Sequence, residues 1–154
     1  MNEGSITISS ILVPGLTRVS FPGTSKKKTL EHIAAAISQE IPELPEEDLF
    51  ENLIAREKLG STGIGQGIAI PHSRMLSCSK VIGALFTLEQ DIAFDAIDNQ
   101  PVNLLFVLIV PKEASSEHLE LLSQIAERFN DVSFCNKLRA ASSDSELYTL
   151  MTES

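Results

Sequence analysis

The run Val102–Val110 (VNLLFVLIV) constrains the fold more than any other stretch. Apart from Asn103 every position is apolar, and branched side chains dominate. A strand with one wet face alternates polar and apolar residues. A run that is apolar on both faces of the pleat belongs in the middle of a sheet covered from above and below. Helices can supply that cover. Leu30, Ile33, Ala34, Ile37 and Ile41 recur at helical spacing behind a capping Ser25, and Pro42 and Pro45 close the helix. A second helix is predicted from about Glu46 to Leu59, with Glu46, Glu47 and Asp48 at its positive end, Leu49, Phe50, Leu53 and Ile54 inward, and Gly60 as its stop. After Pro111, a third helix carries the stripe Leu119, Leu122, Ile125, Ala126 and Phe129. Ser133 is the predicted cap of a short helix through Leu138. Ser143 and Glu146 form a capping-box pattern before Leu147, Leu150 and Met151.

Further strands are predicted at Leu16–Phe21, Ile68–Ile70 and Val81–Leu88, with a shorter one around Ile92 and Phe94. A short apolar turn, Ile8 to Val13, precedes the first strand and stops at Pro14-Gly15. Strands in the middle and helices at both ends imply an α/β fold, with helices packed on both faces of a mixed sheet. No repeat or linker divides the 154 residues, so 1–154 is expected to be a single domain with residues 1–8 loose.

The formal net charge is −9. Nucleic-acid binding calls for a basic face, which this balance opposes. An acidic surface favours encounter with a basic protein partner, or simply keeps the chain dissolved. No apolar run reaches the ~18 residues that span a bilayer, and MNEGSITISS is not a secretory leader, so a cytoplasmic protein without membrane insertion is expected. Cys78 and Cys135 lack zinc-type spacing and suit two reduced thiols. No metal or cofactor is expected.

Chemistry concentrates around residues 60–74, GSTGIGQGIAIPHSR. Glycines leave backbone N–H groups free to face an anion, and Ser61, Thr62 and Ser73 add hydroxyls. The loop has neither the GK[ST] of a P-loop nor GxGxxG before a helix, so neither nucleotide motif is present. His72 follows a buried-type strand and a stiffening proline. It is either a reactive imidazole held at a strand end or a strand-terminal histidine bonded to a loop carbonyl. His118 lies at the start of a helix, where the dipole favours anions; on the pattern alone, a surface place in the first turn is the readier account. His32 suits a polar helix surface. Arg56, in the last turn of the second helix, can grip phosphoryl oxygens with a planar fork of donors or serve the helix dipole alongside Lys58. A two-histidine metal site at His72 and His118 lacks a third ligand of suitable spacing.

The segment REKLGSTGIGQGIAIPHS closely resembles the active-site segment of the fructose/mannitol-type IIA domains of the bacterial phosphotransferase system, above all its nitrogen-related (IIA-Ntr) branch. IAFDAIDNQPVNLLFVLIVP, EHLELLSQIAERF and CNKLRAASSDSELYTLM fit the same family, so the resemblance covers about residues 5–152. It implies a mixed five-stranded sheet flanked by helices and a phosphotransferase working through a phosphohistidine. His72 matches the phosphorylated histidine, Arg56 the active-site arginine and His118 the second active-site histidine, while Ser61 and Thr62 sit in the loop lining the pocket. Ser73 stands where relatives often have glycine. The implied donor is an HPr- or NPr-type phosphocarrier. The implied role is regulation of nitrogen metabolism or potassium transport through protein targets. The alternatives are a sugar-transport component passing phosphate to a IIB domain and a binding module with a vestigial site. The family also implies Nε2 as the attacking atom, with Nδ1–H bonded to a backbone carbonyl. A shallow apolar pocket rimmed by Ile64, Ile68 and Ile70 would shield the P–N bond.

Overall fold

The computed structural model describes residues 7–113 and 116–153, apart from the side chains of 116–119. Its helices are α1 (Ile8–Ile11), α2 (Lys26–Glu40), α3 (Glu46–Leu59), α4 (Ser116–Arg128), α5 (Val132–Arg139) and α6 (Asp144–Thr152). Its strands are β1 (Leu12–Phe21), β2 (Gly63–Gly65), β3 (Ile68–Ala69), β4 (His72–Met75), β5 (Ile82–Ile92) and β6 (Val102–Pro111). They form one mixed sheet in the order β1-β5-β6-β3-β2, with β4 also on β6.

The apolar run occupies the place its composition demands. Leu105, Val107 and Ile109 of β6 enter the core beneath α2 and α3. Leu104, Phe106, Leu108 and Val110 enter the opposite core, under α4, α5 and α6. Each layer is closed by its helical stripe: Leu30, Ile33, Ile37, Leu49 and Leu53 on one side, Leu121, Ile125, Phe129, Leu138 and Leu147 on the other. Asn103, the lone polar member, bonds at the strand's beginning. Its side chain donates to Asp91 at 3.2 Å and accepts from Arg139 at 2.8 Å, and its N–H donates to the Gly67 carbonyl at 3.0 Å.

The sheet has six strands rather than the five implied by resemblance. Proline accounts for part of the difference. β3 and β4 run along the same edge of β6 with no slip in register, Ile68 facing Leu104 and His72 facing Leu108. Pro71 stands in the gap; it has no N–H to give, but its carbonyl accepts from Leu108 at 2.9 Å. The strands expected at Val81–Leu88 and near Ile92 are one strand, β5, with a register shift between Thr87 and Ile92. Phe94 lies beyond it. Pro14-Gly15 does not stop the chain either, because β1 is an edge strand and carries a shift between Leu12 and Thr17 that absorbs them.

Local signals set most helix ends. Ser25 caps α2 by accepting from Lys28 N–H at 3.1 Å, and α3 runs from Glu46 to Gly60's border as patterned. α5 begins before Ser133, since Asp131 is its cap. Ser143 caps α6, but the Glu146 carboxylate bonds Ser142 rather than closing the box on Ser143. Of the residues expected to be loose, 1–6 lie outside the described residues; Thr7 caps α1 and Ile8 is buried.

Candidate functional site

α3 delivers Arg56 in its last turn, and the chain then enters the hairpin β2–β3. The hairpin turn is Gln66-Gly67, at φ of 59° and 80°, which glycine tolerates and most residues resist. Gly63 is needed for a different reason: a Cβ there would meet that of Ala96 at 2.8 Å. The turn is pinned from outside. Gln66 N–H donates to Asp98 at 2.9 Å, and Arg139 donates to the Gln66 carbonyl. β3 leads through Ile70-Pro71 to His72, the first residue of β4.

His72 and Arg56 meet. The guanidinium Nε–H donates to His72 Nε2 at 3.3 Å, and Arg56 Nη1 donates to the Gly60 carbonyl at 2.8 Å. On the ring's other side Nδ1 lies 2.9 Å from the Ile70 carbonyl. A carbonyl can only accept, and Arg56 can only donate. Both contacts are therefore satisfied by one tautomer, with the proton on Nδ1 and a lone pair on Nε2. Burial holds the imidazole's pKa below its ordinary 6.5; the Ile70 hydrogen bond opposes this, the Arg56 charge adds to it, and Glu57 opposes it. The result is a half-buried, neutral imidazole with a cation beside its bare nitrogen.

Two clefts meet at this pair. The larger, about 540 Å³, is lined by Leu59, Ser73, Arg74, Leu108 and Val110 among others. The smaller, about 290 Å³, is lined by Ser61, Thr62, Ile64, Ile70 and Ser123 among others. Arg56, His72 and Leu122 border both. Ile64 and Ile70 rim the smaller cleft as expected, but Ile68 is packed in the core. A larger cleft of about 670 Å³ lies elsewhere, between α1 and the helices α4, α5 and α6, and holds none of these residues.

The hydroxyls are already engaged. Ser61 donates to the Phe94 carbonyl at 2.8 Å, Thr62 donates to Glu57, and Ser73 reaches the Arg74 carbonyl at 3.5 Å. Their protons bind the loop together in this state, and each would have to turn to meet an anion. His118 falls in the first turn of α4, but its side chain lies outside the described residues. His32 borders a separate cleft with Arg18 and Asp144. Among the described residues no group of three or more His, Cys, Asp or Glu could hold a metal ion.

Sequence reasoning passed over Glu57. It is 8% exposed, and its carboxylate accepts from Thr62 N–H at 3.1 Å, from the Thr62 hydroxyl and from Lys26 Nζ at 2.8 Å. A signal was present: an acidic residue in the last turn of a helix faces the negative end of its dipole, and so calls for a partner elsewhere. Ser123 was missed as well, because nothing local separates it from any other exposed residue of α4.

The chain is similar to known proteins over nearly its whole length. A family model described as "Phosphoenolpyruvate-dependent sugar phosphotransferase system, EIIA 2" matches residues 10–154. The chain is 48% identical over 148 residues to a Nitrogen regulatory protein of Pseudomonas aeruginosa, covering 96% of each chain. It is 45% identical over 153 residues to one of Escherichia coli, covering 99% of this chain and 93% of that one. The crystal structure of Nitrogen Regulatory Protein IIA-Ntr from Neisseria meningitidis superposes with a TM-score of 0.85 at 39% identity, over 94% of this chain and 99% of that one. Among the described residues no helix is long and apolar enough to cross a membrane.

Proposed function

The chain belongs to the EIIA 2 family of the phosphoenolpyruvate-dependent sugar phosphotransferase system, within its nitrogen regulatory group, and from that membership we propose that His72 is the residue that accepts and passes on the phosphoryl group. The observation that carries this reading is the paired contact on the ring: Ile70 takes the Nδ1 proton and Arg56 faces the Nε2 lone pair.

The step balances simply. The Nε2 lone pair of neutral His72 attacks phosphorus on the phosphohistidine of an HPr- or NPr-type carrier. The donor's P–N bond breaks, and its electron pair stays on the donor's nitrogen. No proton has to leave His72 in this step, because Nδ1 keeps its own and the positive charge that develops on the ring is met by the Ile70 carbonyl. Arg56 releases Nε2 and turns its donors to the phosphoryl oxygens, where charge stabilisation and alignment do most of what phosphoryl transfer needs. Ser61, Ser73 and His118 are proposed to assist at the oxygens, while Thr62 lines the same cleft with its hydroxyl and N–H both kept on Glu57.

The downstream role proposed is regulatory: the phosphorylation state gates binding to protein targets in nitrogen metabolism or potassium transport. The shared name of the relatives at 45% and 48% identity supports this over sugar transport. Incubation with phosphorylated HPr-type carrier, followed by mapping of the acid-labile phosphopeptide, tests the site; the phosphate is expected on the peptide holding His72. A transfer assay to fructose- or mannitol-type IIB domains tests the role, with no productive transfer expected.

A further inference from the structure

We propose that Lys26, Glu57 and Thr62 are positioning residues that fix the tautomer and aim of the His72 ring through the Ile70 carbonyl. The link is a continuous line of bonds. Lys26 Nζ lies 2.8 Å from Glu57 Oε1. Glu57 holds both the N–H and the hydroxyl of Thr62. The Thr62 carbonyl accepts from Ile70 N–H at 3.0 Å. The Ile70 carbonyl accepts from His72 Nδ1 at 2.9 Å.

The weak point of the sheet lies where this line is needed. Ile70 sits between β3 and β4, outside the ladder to β6, which is registered at Ile68 and Ala69 and again from His72 onward. Its N–H is held by Thr62 and its carbonyl by the histidine ring. Pro71 follows and offers no donor. The acceptor that orients His72 is therefore anchored by Thr62, and Thr62 by a buried carboxylate.

That orientation has to be imposed. Neutral histidine free in water favours the proton on Nε2, the tautomer in which the nitrogen facing Arg56 could not attack. A fixed acceptor at Nδ1 reverses the preference.

The charges at the far end fit the same purpose. Lys26 is the first residue of α2 and Glu57 lies in the last turn of α3. Each stands at the unfavourable end of its own helix dipole. Neither helix gains from them locally, whereas together they satisfy a buried carboxylate that ties the end of α3 to the hairpin. Lys26 also lies over the Phe94 ring at 4.7 Å and 3.7 Å from Asp95, which fixes it from the outer side.

The catalytic side of this inference rests on His72 being the acceptor; the tautomer does not. The test is therefore made on the unphosphorylated, uniformly ¹⁵N-labelled full chain. Long-range ¹H–¹⁵N correlation, recorded above the His72 titration, reads the protonation of each ring nitrogen. The wild-type protein is expected to show a bare Nε2. In Thr62→Val and Glu57→Gln the two nitrogen shifts should move toward each other as both tautomers populate, and Thr62→Ser should restore the wild-type pattern. Phosphoryl acceptance should fall roughly 10- to 100-fold in the first two, the range found for partners that orient metal-ligating imidazoles. If Glu57→Gln does not fold, Thr62→Val and Lys26→Met decide. Folded Thr62→Val and Lys26→Met proteins that both keep the wild-type His72 tautomer would overturn the proposal, as would failure of Thr62→Ser to restore it. A wild-type chain that accepts no phosphate would instead refute the reading of His72 as acceptor and leave the tautomer result standing.

Discussion

Strand β6 and the segment beside it, residues 60–75, belong to one sheet but are held by different forces. β6 is fastened by apolar side chains entering two cores, and any one of them has many neighbours to share its load. The segment beside it has four glycines, two positive-φ turn residues and a set of single polar bonds, each with one named partner. Packing is redundant and tolerant; directional bonding is neither. Fold and chemistry are thereby separated across a few ångströms, and substitutions on the two sides should report different quantities.

The sharpest break in that comparison is His72→Ala. The phosphoryl adduct should vanish completely while the thermal midpoint stays near wild type, since the ring is half-buried and outside both cores; an adduct by native mass measurement would move the acceptor elsewhere. Phe106→Ala acts on the other side. This ring is fully buried and meets Phe129 edge-on at 6.3 Å, so denaturant titration should show a loss of about 3–5 kcal/mol. Phosphorylation by excess carrier should persist in whatever fraction stays folded. Arg56→Ala should leave the midpoint almost unmoved and slow phosphoryl acceptance by roughly 10²–10³-fold, the usual cost of one electrostatic donor. An unchanged rate would reduce the guanidinium to a helix-end partner of the Gly60 carbonyl. The smallest effect is on pH. Because burial depresses the His72 pKa, the acid form predominates only at a pH lower than for an ordinary histidine, and acceptance should fall as pH drops through that lowered value. In Arg56→Ala a positive neighbour is gone, so the acid limb should shift upward; a limb that stays in place would show that the Arg56 charge has no part in setting it.

How far the sequence could be followed depends on the range of the forces involved. The stripes of α2 and α3, the Ser25 cap and the double-faced strand β6 were legible because each is a local pattern with one good solution. β4 was not, since HSRM has no strand signature and its extended shape is supplied by β6. The register of Asp131 against Ser133 as a cap, and of Ser142 against Ser143 as the partner of Glu146, turned on choices between near-equal neighbours. At the site, His72 and Arg56 stood out by kind and by their place at element ends. The hydroxyls of Ser61 and Thr62 were visible as donors, but not what they donate to: Phe94 and Glu57 are brought there by the fold. Glu57 is the instructive omission, a residue whose local misfit was itself the clue.

The two-sided burial of β6 also leaves it without a compass. When both faces are greasy, sliding the strand by one position exchanges one oily set for another, and hydrophobicity hardly objects. The vote that settles alignment is cast by Asn103, whose amide would be dragged from Asp91 and Arg139 into hydrocarbon by such a slide. One asparagine thus acts as the zero mark of a ruler, and the placement of Leu108 opposite His72 is measured from it.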